Sequence, residues 1–306
     1  MWINYENGNY TVLLNKRNGT KIRYNDKDIF IPNRPESMDV KITNQCNYNC
    51  LFCHEASVPS GKQADYEVMD KFAQSLPPHT EIACGGGSLM IDYKHTEYFL
   101  ERLKEVDAIP SITVHQKDFI KYIDIIKEWY LKELVYGIGV SLYDSNDEQL
   151  YDELKCLPTS VVHVIAGIFS EEDYNNLKNK GLKILILGYK NFRRGRSYYN
   201  GMKNDIDKNM DWLSNNILKI SKDFNVVSFD NLAIEQLDME HKVSKDTWRR
   251  FYMGDDGNFT FYVDLVEKTY ALNSTSIARF PITNYNIESM FNNIASYRER
   301  INNDSN

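Results

Sequence analysis

Short apolar segments alternate with helical segments through the middle of this chain, and this alternation restricts the fold more than any other feature. Six segments have the length and β-prone composition of strands: 37–43, 81–86, 111–115, 136–142, 161–169 and 183–189. Apolar residues recur at helical spacing between them, at 96–104, 117–132, 146–155 and 171–180, and then through Ile206, Met210, Leu213 and Ile217. Because strands that alternate with helices pair in parallel through crossover connections, the sequence predicts an α/β fold. An open doubly wound sheet and a complete or partial barrel both satisfy this periodicity.

The segments on either side of the alternation have a different pattern. Residues 9–24 predict a β-hairpin, because two β-prone runs flank Asn18-Gly19, a dipeptide that favours a tight reversal. Residues 225–282 break the alternation and place a turn at Asp256-Gly257 between β-prone runs. We therefore expect three parts: an N-terminal hairpin extension over 1–36, the α/β unit over 37–224 and a C-terminal α+β extension over 225–306.

Composition and charge argue against several classes of protein. The 306 residues carry a net charge of −7, which argues against a general nucleic-acid coat and leaves only a local basic patch open. Apolar runs are too short for a membrane span, and the N-terminus lacks the pattern of a signal peptide. Five unevenly placed cysteines argue against a disulfide framework. We expect a cytoplasmic protein without membrane association.

Three of the five cysteines lie within eight positions, directly after the first strand of the alternation. Cys46, Cys50 and Cys53 form C-x3-C-x2-C at the face where α/β folds bind ligands. A zinc site would need His54 as its fourth ligand, but His54 adjoins Cys53 and so close a pair rarely closes a tetrahedron. The C-x-x-C-H haem pattern leaves Cys46 without a role. A [4Fe–4S] cluster takes four thiolates, so three would leave one iron open to a substrate or cofactor.

The cysteine motif, with Phe52 before its last cysteine, resembles the radical S-adenosylmethionine superfamily. The resemblance covers residues 37 to 190 and implies a partial (β/α)6 TIM-like barrel. It also implies a [4Fe–4S] cluster on Cys46, Cys50 and Cys53, S-adenosylmethionine on the open iron, and a low-potential electron donor of the flavodoxin or ferredoxin type. The reaction would be reductive cleavage to a 5′-deoxyadenosyl radical. The segments "CHEAS" and "GGG" together resemble uncharacterised, phage-type members.

The same resemblance implies which residues bind the cofactor. Residues 84–89, "CGGGSL", correspond to a Gly-Gly-Glu-Pro-like segment, in which Gly87 replaces the glutamate and Ser88 the proline. An ordinary strand-to-helix turn would also explain these glycines. On the fifth strand the family often has G-x-I-x-G-x-x-E. Ile165 and Gly167 match this pattern, and His163 and Ser170 do not. The predicted cofactor-binding residues are Gly85, Gly86, Gly87, Ser88, Ser141, Ile165, Gly167 and, through its main chain, Leu187.

A basic and aromatic segment over 189–201, "YKNFRRGRSYYNG", is predicted as a loop that leaves the sixth strand on the catalytic face. Guanidinium groups bind phosphate and carboxylate, and aromatic rings stack on bases. We therefore expect an anionic substrate, either a small molecule such as a nucleotide or an acidic peptide; a solvated loop is the alternative. The candidate substrate-binding residues are His54, His115, Lys190, Arg193, Arg194 and Arg196.

Two cysteines lie outside the motif, which is too few for a second cubane. Cys84 is expected to be a buried core thiol, and Cys156 is the other.

A peptide-modifying enzyme remains the second hypothesis. A non-enzymatic iron–sulfur carrier or sensor is the third, and the glycine segment argues against it because a carrier needs four protein ligands.

Overall fold

The computed structural model describes residues 1–304; residues 305 and 306 of the predicted C-terminal extension lie outside the described residues. The strands are β1 (Trp2–Asn7), β2 (Tyr10–Asn15), β3 (Lys21–Tyr24), β4 (Ser37–Thr43), β5 (Glu81–Gly86), β6 (Ile109–His115), β7 (Gly137–Ser141), β8 (Ser160–Ile165), β9 (Lys183–Leu187), β10 (Val226–Phe229), β11 (Thr260–Asp264), β12 (Thr269–Ala271) and β13 (Phe280–Pro281). The helices are α1 (Tyr66–Gln74), α2 (Tyr93–Glu105), α3 (Gln116–Lys121), α4 (Ile123–Leu131), α5 (Glu148–Cys156), α6 (Glu171–Leu177), α7 (Arg194–Ile220), α8 (Asn231–Gln236), α9 (Met239–Lys242), α10 (Lys245–Phe251) and α11 (Ile287–Asp304).

Ten strands form one sheet, in the order β10-β9-β8-β7-β6-β5-β4-β11-β12-β13. The six predicted strands are β4 to β9, and each is parallel to its neighbours. The sheet does not close on itself over residues 1–304. The predicted α/β fold with a partial barrel is therefore confirmed.

Apolar and charged residues alternate along β4, so the two faces of the sheet differ in polarity. Met38, Val40 and Ile42 are fully buried and share one apolar core with residues of α1 and α2. Because successive side chains of a strand point to opposite faces, Asp39 and Lys41 face the other side of the sheet. That second face carries the polar residues at which the candidate site is built.

The C-terminal segment contributes to the same sheet, which the sequence pattern did not predict. β10 pairs in parallel with β9, and β11 pairs in parallel with β4. The broken alternation therefore reflects strands that are added at both edges of the six-stranded core. The division into three parts stays a prediction.

The N-terminal prediction is confirmed and extended. β2 and β3 form the hairpin about Asn18-Gly19, and Gly19 has the positive φ (71°) that such a turn requires. β1 precedes them and pairs antiparallel with β2, so this part is a three-stranded sheet.

Two predicted segments differ from the structure. The helix predicted over 117–132 is divided into α3 and α4 at Tyr122, whose φ of −112° is not helical. The loop predicted over 189–201 is wrong beyond Arg193, because α7 begins at Arg194. Its first turns are largely exposed and a break at Met202 follows them, so the apolar periodicity of the helix is visible only from Ile206 onward. No helix within residues 1–304 has the length and apolarity needed to cross a membrane.

Candidate active site

The cysteine loop, defined here as residues 44–58, follows β4 and is closed by its own backbone. The Cys46 amide donates to the Val58 carbonyl at 3.0 Å, and the Val58 amide donates to the Asn44 carbonyl at 3.2 Å. Asn49 and Ala56 adopt left-handed φ values of 51° and 52° inside the loop. The chain is thus folded into two sharp reversals within the loop that carries the three cysteines.

The three thiols are free, half-buried and close enough to influence one another. Burial raises the pKa of Cys50, and the neighbouring Cys53 and Cys46 raise it further. Within residues 1–304 no three His, Cys, Asp or Glu side chains converge closely enough to hold one metal ion. A cubane makes a different demand, because each of its thiolates binds a separate iron. Cys84 is 1 % exposed, which confirms the prediction of a core thiol.

The glycine segment packs directly on the cysteine loop. A Cβ on Gly86 would lie 2.3 Å from the Thr43 carbonyl oxygen, and one on Gly87 would lie 2.2 Å from the Gln45 carbonyl oxygen. Glycine is therefore required at both positions by backbone approach alone. Gly85 differs, because no heavy atom lies within 4 Å of the place its Cβ would take. Among the three predicted glycines, Gly85 borders open space.

Asp118, in the first turn of α3, joins three loops at this end of the sheet. Its Oδ2 accepts from the Ser88 hydroxyl at 2.6 Å, and its Oδ1 accepts from the Tyr48 hydroxyl at 2.5 Å. The Tyr48 ring stacks on His115 with the ring centroids 3.8 Å apart. Burial lowers the pKa of His115 to about 4, so the ring is neutral. Asp118 was not predicted as a site residue, since an acidic residue in a first helical turn is common.

The predicted residues on the later strands lie in register across the sheet. Ser141 is paired with His115 on one side and His163 on the other, and Ile165 is paired with Leu187. The Leu187 carbonyl accepts from the Ala166 amide at 2.8 Å. Gly167 has a φ of 83°, and a Cβ there would lie 2.8 Å from Ile206 Cγ2. Packing against Ile206 therefore explains the glycine at position 167. The cofactor roles of Ser141, Ile165, Gly167 and Leu187 stay predictions.

A buried group of charges lies beside the cysteine loop. The Lys41 ammonium is 2.9 Å from the Glu55 carboxylate and 3.1 Å from that of Asp264, and all three residues are less than a tenth exposed. The Tyr262 hydroxyl donates to Glu55 Oε1 at 3.2 Å. Lys41, Asp264 and Tyr262 were not predicted as site residues. Charged residues at Lys41 and Asp264 within otherwise apolar strands were the available signal.

The six predicted substrate residues are only partly brought together. The Lys190 ammonium donates to the Ser274 hydroxyl at 2.9 Å, whereas Arg193 and Arg194 donate to main-chain carbonyls of the cysteine loop. Arg196 is exposed, and within residues 1–304 its guanidinium makes no hydrogen bond or ion pair. His115 lies on Tyr48, across the loop from the arginines.

His54 lies beside Glu55 in a strongly positive environment. Burial lowers the pKa of His54 well below 6.5, and Lys190, Arg193, Lys41 and Arg279 lower it further. The imidazole is therefore neutral near pH 7. Its Nε2 lies 3.5 Å from Glu55 Oε1. The surrounding cations make this side of the site attractive to an anion.

The chain is similar in fold to proteins of known structure. No family model and no curated protein matches it. Streptococcus suis SuiB bound to S-adenosylmethionine has a TM-score of 0.56 and 9 % identity, covering 97 % of this chain and 90 % of SuiB. Native anSMEcpe with bound AdoMet has a TM-score of 0.50 and 13 % identity, covering 82 % of this chain and 78 % of anSMEcpe. These likenesses support the partial-barrel fold.

Proposed function

We propose that this chain is a radical S-adenosylmethionine enzyme that holds one [4Fe–4S] cluster. The observation that carries this proposal is the C-x3-C-x2-C motif on a loop after the first strand of a fold shared with SuiB bound to S-adenosylmethionine. With cluster and cofactor bound, one electron from a flavodoxin or ferredoxin-type donor would cleave the sulfonium and give a 5′-deoxyadenosyl radical that takes hydrogen from a substrate.

The residues at the site fit such a cofactor. Cys46, Cys50 and Cys53 would hold the cluster, because they are free, half-buried thiols on one closed loop. Gly85 leaves open space where the amino group of S-adenosylmethionine would be received by backbone carbonyls. The register of Ser141, Ile165 and Leu187 supports a continuous lining for the nucleoside part.

Gly86, Gly87 and Ser88 have a different part in this proposal. Gly86 and Gly87 allow the segment to pack on the backbone of the cysteine loop, and the Ser88 hydroxyl is committed to Asp118. They would therefore hold Gly85 at the right distance from the cysteines. Their main-chain atoms are the part that remains able to contact the cofactor.

We propose an anionic substrate, because four cations surround His54 at the edge of the cysteine loop. Lys190 and Arg279 lie on segments after β9 and β12, separate from the glycine segment after β5. Arg196 would extend this positive region into solvent. A carboxylate or phosphate of a small molecule or acidic peptide would be drawn to the region, and the attraction would weaken with salt.

A cavity favours the second candidate, a peptide-modifying enzyme. It has a volume of about 580 Å³ and lies between Asp39 of β4 and the segments around Asp230, Trp248 and Ser274. Carboxylates outnumber cations seven to two along its lining. Asp39 is exposed and contributes one of these carboxylates to the lining. A basic side chain of a peptide would be complementary to this cavity.

Two measurements on anaerobically purified protein test the proposal. The protein should be brown and reconstitute to about four irons per chain. The triple replacement of Cys46, Cys50 and Cys53 by alanine should be colourless, while Cys156→Ala, at an exposed position, should retain iron like the parent. With dithionite and S-adenosylmethionine, the parent should release 5′-deoxyadenosine. Full iron in the triple variant would refute the cluster assignment.

The same assay separates the enzyme from a carrier or sensor. A carrier would hold iron and titrate with dithionite, but would give no 5′-deoxyadenosine above a cluster-free control. That outcome would leave the cluster and exclude the radical chemistry.

A further inference from the structure

The first turn of α7 is fastened to the cysteine loop by one side chain, Arg194. Its Nη1 donates to Asn49 Oδ1 at 2.9 Å and to the Cys50 carbonyl at 3.4 Å, and its Nη2 donates to the Ser57 carbonyl. One guanidinium thus joins Asn49 and Cys50, in the first half of the cysteine loop, to Ser57, near its end. A planar group with five N–H donors can do this, whereas an ammonium cannot make the same fork.

The surroundings of Arg194 reinforce the contact. A Cβ on the adjacent Gly195 would lie 3.4 Å from the Phe52 carbonyl oxygen, so α7 lies directly against the loop. The Tyr198 and Phe52 rings meet edge to face with centroids 6.0 Å apart. Arg193 donates to the Glu55 carbonyl at 2.7 Å, next to the left-handed Ala56. Both reversals of the cysteine loop are therefore held from α7 and the residue before it.

The charge of Arg194 also acts on the cysteines. Its hydrogen bond to the Cys50 carbonyl brings a fixed positive charge beside the two cysteines that begin the motif. A positive charge near a cluster stabilises the more negative, reduced state, and net charge is one of the factors that set cluster potentials.

We propose that Arg194 is a positioning residue that fixes the cysteine loop and raises the reduction potential of the cluster held there. This inference rests on the proposed function. It reassigns Arg194 from substrate capture to the support of the cluster. Arg196, two residues further along the same helix, has no such contact within residues 1–304 and provides a matched control.

The test compares Arg194→Gln, Arg194→Lys and Arg196→Gln in the full chain. Iron per chain after reconstitution, the rate of iron loss to a chelator, and the midpoint potential from a mediated dithionite titration followed by EPR are measured. We expect Arg194→Gln to lose iron about tenfold faster, as for other residues that support metal ligands, and to have a lower potential. Arg194→Lys should also lose iron faster but keep a potential near that of the parent, because it retains the charge. Arg196→Gln should match the parent.

The outcomes separate this inference from the proposed function. If the parent holds its cluster and Arg194→Gln matches Arg196→Gln in iron loss and potential, the positioning role is refuted and the proposed function stands. If Arg194→Gln loses iron faster with an unchanged potential, the electrostatic role is refuted. If Arg194→Gln does not fold, as judged by its thermal melt, the test depends on Arg194→Lys. Faster iron loss at an unchanged potential would support the positioning role, and iron loss at the rate of the parent would refute it. A parent without iron would overturn both proposals.

Discussion

The cysteine loop is held from two sides that differ in charge and in distance along the chain. On one side Asp118 accepts from Tyr48 and Ser88, partners 70 and 30 residues away in the chain. On the other side Arg194 donates to Cys50 and Ser57, which are 144 and 137 residues away. A carboxylate and a guanidinium thus flank the same thiols. The comparison indicates that the loop, which its own backbone closes, is braced on one side by α3 and on the other by α7.

The two sides also differ in how their charges are balanced. Asp118 accepts from two neutral hydroxyl groups and has no cationic partner among its hydrogen bonds within residues 1–304. On the arginine side, Glu55 lies between the cations Lys41 and Arg193 and accepts from Tyr262. Because Tyr262 lies on β11, the C-terminal strand pair is part of the support for the loop. A buried carboxylate with several partners is stable only while all of them remain.

The largest effect is expected from removal of Glu55. In Glu55→Ala, Lys41 keeps Asp264 but loses its nearer partner, so the buried Lys41 ammonium is left under-compensated. Breaking a buried charge network typically costs about 3–5 kcal/mol of unfolding free energy. Urea unfolding of the cluster-free protein measures this loss. Glu67→Ala, which removes the exposed ion pair with Lys71, should leave the midpoint in place. Equal midpoints for the two variants would show that the network contributes little.

An intermediate effect is expected from Asp118→Asn, and its sign tests the comparison directly. The substitution removes a negative charge near Cys46, so the cluster potential should rise, opposite to the fall expected for Arg194→Gln. Weakening two buried hydrogen bonds should cost about 1–3 kcal/mol of unfolding free energy. Potentiometry followed by EPR and urea unfolding check both effects, with the exposed Asp124→Asn as control. A fall in potential for Asp118→Asn would contradict the opposition of the two sides.

The sequence predicted the parts of this site that depend on local pattern. Alternation located β4 to β9, and spacing located the three cysteines, because both signals lie within short segments. Asp118, Lys41 and Asp264 were missed because their partners come from segments distant in the chain, and an isolated charge in a short segment does not indicate which residue pairs with it. Arg194 was identified but placed in a loop, since the first turns of α7 have little apolar periodicity. Its contact with Ser57 follows from tertiary structure alone.

The smallest effect is expected at His163, in the uncharged region between the two sides. Its ring packs on Gly139, where a Cβ would lie 2.2 Å from His163 Cε1, and burial alone lowers the pKa of His163 to about 4. In the unfolded chain His163 has an ordinary pKa near 6.5. Between pH 6.5 and 4, therefore, His163 binds a proton in the unfolded chain but not in the folded one. Stability must fall as the pH drops from about 6.5 to 4, by about 1 kcal/mol from this residue by pH 5.5.

Unfolding free energies of the parent and of His163→Gln at pH 7.5 and 5.5 isolate this contribution. His115 shares the same direction of pKa change and remains in both proteins, so it cancels in the comparison. The exposed His241→Gln should not reduce the acid sensitivity of the parent, because Asp238 raises the pKa of His241. If His163→Gln is as acid-sensitive as the parent, the ring is already hydrated in the folded state. The central region of the site would then be as polar as its two sides. No apolar region would separate the negative side, at Asp118, from the positive side, at Arg194.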